Sequence, residues 1–358
     1  MATLGVAIAA DEAVGVLGSI RRHSIITSTV PANGDQNPYA VVISPVTSGK
    51  LREGDVMIDN FNDRNNLQGL GTTIVSVNPT TKNISLFAAI PRHLPSCPGG
   101  VGLTTAMAVL KSGWVVVGSL PSQDGTTRTK GPGCLIVLDN QGTVVNTIAG
   151  PNINGPWGNM AVIDNGSTAT LFVSMTGFDV GPSDGDAPIV KKATVLRINL
   201  SILAGKSPVV ASQTIIADGF GEQADKDVFI IGPTGLSLHG TTLYVSDALA
   251  NRIAAIPDAS TRMTSAGVGQ DVTKDGLLKR PLAMTTASNN HLLVTNGLNG
   301  QVVEVDPVSG KQIYARWIDA NKAQSPPGSG DLFGIVAAPD GNGFYFVEDE
   351  VNMLVHAH

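Results

Sequence analysis

Short apolar runs broken by Gly, Pro, Asn and Asp recur along this chain in a fixed order. A turn residue precedes a small residue and an apolar strand. A hairpin leads to a second strand ending on a small or polar residue, and a loop and a third strand follow. The clearest copy is Pro233-Thr234-Gly235-Leu236-Ser237-Leu238, then TLYVSD to Asp247, then ANRIAAI to Ile256. PLAMTTASNNHLLVTN with GLNGQVVEVD, and LFGIVAAPDGNGFYFVED with EVNMLVHAH, are two more. Three earlier copies, NPYAVVIS with DVMID, LTTAMAVL with WVVVGS, and PWGNMAVI with LFVSM, carry longer insertions. Self-similarity of this kind signals a repeat architecture.

The small residues Ala40, Ala106, Gly158, Gly235, Ala283 and Gly334 anchor the six copies, 48 to 77 residues apart. From anchor to second-strand end the distance is only 12 to 19 residues. A nearly constant inner hairpin with variable outer segments describes the blade of a β-propeller. Gly or Ala suits the innermost strand, where neighbouring backbones converge. Outer strands are expected at 84–90, 143–149, 213–217 and 311–318, with a weaker one near 264–273. The sixth copy lacks one, and residues 24–29 (SIITST) precede the first anchor where an outer strand belongs. The prediction is an all-β, six-bladed β-propeller over residues 23–358, its N-terminal strand completing the C-terminal blade and leaving no open edge. Residues 1–22 read as a leader.

YVSDALANRIAAI (244–256) resembles the NHL repeat, a strand ending in Asp, a short loop with Asn-Arg, then an apolar strand; LVTNGLNGQVVEVD (293–306) is a looser copy. The resemblance implies kinship with six-bladed propellers generally. These include calcium-dependent lactonases and phosphotriesterases, gluconolactonase-like hydrolases, strictosidine synthase-like proteins, peptide α-amidating lyases and binding modules. Fold alone does not choose among them.

The expected long loops, 60–70, 120–132 and 176–192, and the connectors 91–102 and 218–232, all lie at one end of the propeller. Loops grown on one face of a rigid scaffold point to binding there. Cys97 and Cys134 fall on the same face. A disulfide between them is expected, closing a loop of about 38 residues; two free thiols are the alternative. A disulfide favours an oxidising compartment. No apolar run reaches the roughly 20 residues of a membrane span, and 3–10 (TLGVAIAA) lacks a basic leader. The expectation is a periplasmic or secreted protein whose signal has been removed, the alternative being a cytoplasmic one.

Composition agrees with β structure, with 41 Gly, 21 Pro and only 15% charged residues, and a net charge of −6 leaves no basic stripe for nucleic acid. Aligning the second strands places Asp59, Ser119, Met175, Asp247, Asn296 and Asp349 around the channel mouth, flanked by Asn60, Glu348 and Glu350. Asp59, Asp247, Asn296 and Asp349 are the candidate ligands of a hard cation such as calcium. Such an ion would polarise a carbonyl or phosphoryl oxygen, with His93 as base. The competing reading is that these residues cap turns. The Asp-Gly-Asp run at 184–186 reads as turn chemistry. Two functions follow: an exported propeller binding a small molecule or protein on its long-loop face, or a calcium-dependent hydrolase or lyase at the channel mouth.

Overall fold

The structure, a computed structural model, describes residues 15–181, 187–225 and 227–358. The apolar stretch 3–10 and the run 184–186 lie outside the described residues. Six sheets form the blades. After a helical turn α1 (Val16–Ser19) and strand β1 (His23–Ser28), blade 1 comprises β2 (Gln36–Ile43), β3 (Val56–Asn62), β4 (Thr73–Val77) and β5 (Ile84–Ala89). Blade 2 comprises β6 (Leu103–Val109), β7 (Val115–Ser119), β8 (Cys134–Leu138) and β9 (Val144–Ile148). Blade 3 has five strands, β10 (Ala161–Asp164), β11 (Thr168–Met175), β12 (Val190–Ser201), β13 (Val209–Asp225) and β14 (Phe229–Ile231). Blade 4 is β15 (Pro233–His239), β16 (Thr242–Asp247), β17 (Arg252–Ile256) and β18 (Gln270–Lys274). Blade 5 is β19 (Pro281–Thr286), β20 (Leu292–Asn296), β21 (Gln301–Val305) and β22 (Gln312–Trp317). Blade 6 is β23 (Leu332–Ala337), β24 (Phe344–Glu348) and β25 (Met353–Ala357).

The sixth blade is completed by β1, which pairs antiparallel with β25 from His23↔Ala357 to Ser28↔Met353. The predicted closure is therefore present. It extends further back than the strand alone. The amides of Val16 and Leu17 donate to the buried Glu304 carboxylate at 3.0 and 2.9 Å, and Leu17 and Ile20 are buried against blades 5 and 6. Residues 15–22, placed in the leader above, belong to the packed structure. Asn289 and His291 hold the same carboxylate, and these four hydrogen bonds outweigh burial to keep its pKa below the usual range.

Each glycine anchor sits against the residue preceding the next blade's anchor. A Cβ on Gly158 would lie 1.3 Å from the Thr234 carbonyl oxygen, one on Gly235 2.3 Å from that of Leu282, and one on Gly334 2.2 Å from that of Tyr39. No side chain fits there, because real Cβ atoms do not approach a carbonyl oxygen so closely. The last of these contacts joins blade 6 to blade 1. Ala40, Ala106 and Ala283 are buried at the other three anchors.

One expected loop is absent. Connector 218–232 is mostly strand: β13 continues to Asp225 and pairs with β12 up to Val190↔Glu222, while β14 pairs back onto β13. Phe220, Glu222 and Ala224 are buried while Gly221, Gln223 and Asp225 between them are not, the two-residue period of a strand. Bulges between Val190 and Thr194 absorb the irregularity that Gly219 and Gly221 announce. The result is an outer hairpin of blade 3 rising past its sheet on the long-loop face.

Cys97 and Cys134 are disulfide-bonded with Cα atoms 5.3 Å apart, fixing the connector into blade 2 to the start of β8. Replacing both by Ser should cost about 3–4 kcal/mol in denaturant unfolding, as loop-closure entropy predicts for this separation. Removing the chain up to Thr29 withdraws β1 and the buried Leu17, Ile20 and Ile26, each contributing about 1.5–3 kcal/mol. Such a truncation should lower the melting temperature sharply; an unchanged melting curve would contradict the closure.

Candidate functional site

The residue before each anchor points to the axis. These are Tyr39, Thr105, Trp157, Thr234, Leu282 and Phe333, and four of the six are large and apolar. Tyr39 of blade 1 stacks on Phe333 of blade 6 at 4.1 Å between ring centroids, and on Phe61 at 4.7 Å. Trp157 of blade 3 meets Tyr39 and Phe61 edge-on at 5.6 and 5.4 Å, and Phe229 of β14 closes over Phe61 at 5.4 Å. Blade 3 is not a neighbour of blade 1 in the ring, so the Trp157 contacts cross the axis and this cluster plugs the channel at its long-loop end. All five rings are nearly fully buried. The chain has nine Phe, four Tyr and three Trp, so it spends a large share of its few aromatics here.

Below the plug, Asn159 bridges three blades: its Nδ2 donates to the carbonyls of Leu236 and Met284 at 2.7 and 3.2 Å, and its Oδ1 accepts their amides. A cavity of about 210 Å³ opens beyond it toward the short turns, lined by inner-strand residues such as Val41, Leu238 and Val336.

The strand-end ring differs from the sequence alignment at two blades. Pro233 pairs with Asp247, Pro281 with Asn296, Leu103 with Ser119, and Pro156 bridges Met175. By the same register Pro38 pairs with Asn60 and Leu332 with Glu348. Asp59 and Asp349 are therefore each one residue out, and in a strand that turns the side chain to the other face.

Asp59 occupies the position of Ser174 and Ser246. Those hydroxyls accept the anchor amides of Gly158 and Gly235 and donate to the next blade's carbonyls at Thr234 and Leu282. Thr295 likewise donates across to Phe333. In blade 2 the position is Gly118, and Thr104 fills the space and donates to Pro156. A hydroxyl one residue before the strand end is thus a second seam between blades, legible as the repeated Ser or Thr in YVSD, LVTN and LFVSM. Asp59 takes the Ala40 amide at 2.9 Å through Oδ1, while its buried Oδ2 has no partner. Burial pushes its carboxyl well above the usual range, against the Ala40 hydrogen bond.

Asp247 is committed to Arg252, Oδ2 to Nε at 3.0 Å, and its Oδ1 accepts the Ala250 amide. Arg252 also pairs with Asp271 and donates to the Val268 carbonyl. Asn251, with φ of 51°, accepts the Arg280 amide and donates to the Leu278 carbonyl, fixing the path into blade 5. The Asp, Asn and Arg of the NHL-like motif thus tie strand ends and connectors together. Asn296 caps its turn, accepting from the Lys279 amide and donating to the Leu277 carbonyl and Asn299. Asp349 lies past the strand end, pushed well above the usual range by desolvation and by Asp331. His93 is exposed on the connector into blade 2, with no hydrogen bond or ion pair among the described residues.

Among the described residues, no three His, Cys, Asp or Glu side chains group so as to hold a metal ion. Three of the four candidate ligands are engaged within the fold: Asp247 and Asn296 hydrogen-bond around their own strand ends, and Asp59 faces an inter-blade seam.

Two carboxyl environments were not foreseen. Asp331 and Glu348 are each raised to about 7, by desolvation first and by Asp319 beside them. Glu222, buried on β13, is raised to about 8 by desolvation, which the Phe178 amide and Lys130 only partly offset.

On the same face a cleft of about 370 Å³ lies between the blade 3 hairpin and blade 4. Ile189, Phe220, Leu249 and Val268 give it apolar walls, Gly219 and Gly221 a floor without side chains, and Lys191, Arg252, Asp271 and Lys274 a charged rim. A Cβ on Gly221 would meet Ile189 and Leu249 at 3.2 and 3.4 Å, so the glycine keeps this space open.

No family model matches the chain, and no curated protein matches it by sequence. Solved structures do match in fold. A gluconolactonase from Xanthomonas campestris is 11% identical with a TM-score of 0.58, covering 95% of this chain and 89% of its own. A luciferin-regenerating enzyme is 11% identical with a TM-score of 0.56, covering 93% and 94%. Regucalcin from Agrobacterium tumefaciens, a calcium-binding protein, is 10% identical with a TM-score of 0.54, covering 94% and 93%. The chain shares the six-bladed propeller of gluconolactonase-type proteins; at this identity the likeness is one of fold.

If Asp59 is neutral at its seam, its raised pKa means stability that is complete below the unfolded value near 4 and is lost as pH rises toward the folded value. Asp59→Asn should then favour the folded state more at pH 8 than at pH 5. Urea unfolding at both pH values checks this; a difference between variant and parent that does not change with pH would contradict a neutral Asp59.

Proposed function

We propose that this protein is an exported propeller that binds a small molecule on its long-loop face, in the cleft between the blade 3 hairpin and blade 4. The observation that carries the reading is the aromatic plug. Its five rings pack together across the long-loop mouth, while a walled cleft with apolar sides and charged rim opens beside it. Apolar walls with a few placed polar groups are what small-molecule sites require. The Cys97–Cys134 bond supports export, since disulfides persist in oxidising compartments. Among the described residues no helix is long and apolar enough to cross a membrane.

Calcium-dependent hydrolysis is the second reading, favoured by the calcium binding of the regucalcin neighbour. It needs ligands beyond Asp59, Asp247 and Asn296, which are engaged elsewhere.

A thermal-shift screen of small molecules, run with calcium and with a chelator, separates the two. The binding reading expects stabilising compounds whose effect is indifferent to chelation and disappears in Gly221→Leu, which fills the cleft. Hits that survive Gly221→Leu would overturn the cleft as the site, and hits that vanish with the chelator would support the calcium reading.

A further inference from the structure

The cleft carries a charge imbalance that narrows its ligand. Arg252 is neutralised within the protein, gripped by the buried Asp247 and by Asp271. Lys191 on β12 and Lys274 on β18 both line this cleft, are exposed, and make no side-chain hydrogen bond or ion pair among the described residues. With Asp247 and Asp271 set against Arg252, Lys191 and Lys274, the cleft lining carries a surplus of one positive charge in a chain whose net charge is −6. Between them the walls are hydrocarbon: Ile189 is 54% exposed and Val268 38%, with Leu249 and Phe220 behind. Apolar surface is left uncovered where the two free cations stand.

We infer that the cleft binds an amphipathic anion, a small carboxylate or sulfonate on a short aliphatic or single-ring body, its charge between Lys191 and Lys274 and its body against Ile189, Leu249 and Val268. The inference rests on the cleft reading above. Volume agrees, since about 370 Å³ is near the lower end of the range of about 300–1,000 Å³ for small-molecule sites. The internal pairing of Arg252 with Asp247 and Asp271 excludes a second anionic group from its guanidinium. A dianion would gain nothing there and would meet Asp271 at the rim.

Octanoate, octanol and octylammonium, titrated calorimetrically into the full chain at low salt, test this. Octanoate should bind, with octanol and octylammonium at least about tenfold weaker. Lys191→Ala and Lys274→Ala should each weaken octanoate about two- to fivefold, the range for an exposed charge pair, and leave octanol unchanged. Added salt should weaken octanoate alone. Leu249→Asp, a turn substitution that spares the sheet, should abolish binding, and Gly221→Leu should do the same if it folds. Octanol binding as tightly as octanoate would overturn the charge inference and leave the cleft standing. Octanoate binding that ignores both lysine variants would overturn it as well. No binding by any of the three overturns the inference; the cleft itself falls with it only if the hits of the broader screen also survive Gly221→Leu.

Discussion

The close approach of each inner strand to the next is the constraint on which this propeller depends. Where Gly158, Gly235 and Gly334 sit, the neighbouring carbonyl occupies the place a side chain would take. That proximity brings the residues before the anchors within reach of one another across the axis, and it lets a hydroxyl one residue before the strand end span two blades. Two kinds of seam therefore join the blades, one of backbone packed at the glycine anchors, one of Ser and Thr hydrogen bonds from blades 2 to 5. The Gly334–Tyr39 contact extends the first seam across the junction of blades 6 and 1, where β1 has already joined the chain's two ends.

The plug follows from the same geometry. Once inner strands converge this tightly, the channel mouth holds six side chains, and here they are mostly aromatic or aliphatic. Phe61 and Phe229, from outside the inner strands, complete the cluster. On this face the walled cleft lies at the flank, beside the plug. The blade 3 hairpin, carried upward by the continuous pairing of β12 and β13, supplies one wall of a cleft whose other wall is blade 4. The salt bridges of Arg252, which complete the NHL-like motif, make that second wall firm.

The acidic groups tell a related story. Asp59, Glu222, Asp331 and Glu348 all have carboxyls raised above their ordinary range, and desolvation is the first cause in each. Burial of these acidic residues favours their neutral forms and ties the protein's stability to pH through them.

The sequence by itself determined the number of blades, the identity of the anchors, the closing strand and the cysteine pair, because each rests on spacing and residue size. Gly or Ala at a crowded strand announces itself locally, and so does the Ser or Thr seam. What the tertiary structure alone decided was register. A one-residue offset in β3 and at the end of β24 moved Asp59 and Asp349 out of the strand-end ring, and no local signal reveals an offset when both neighbours are polar. The outer hairpin of blade 3 was also obscure, since Gly219 and Gly221 look like turn residues until long-range pairing makes them strand. The plug and the cleft were invisible for the same physical reason: both are built from residues far apart in sequence, and only the closing of the ring brings them together.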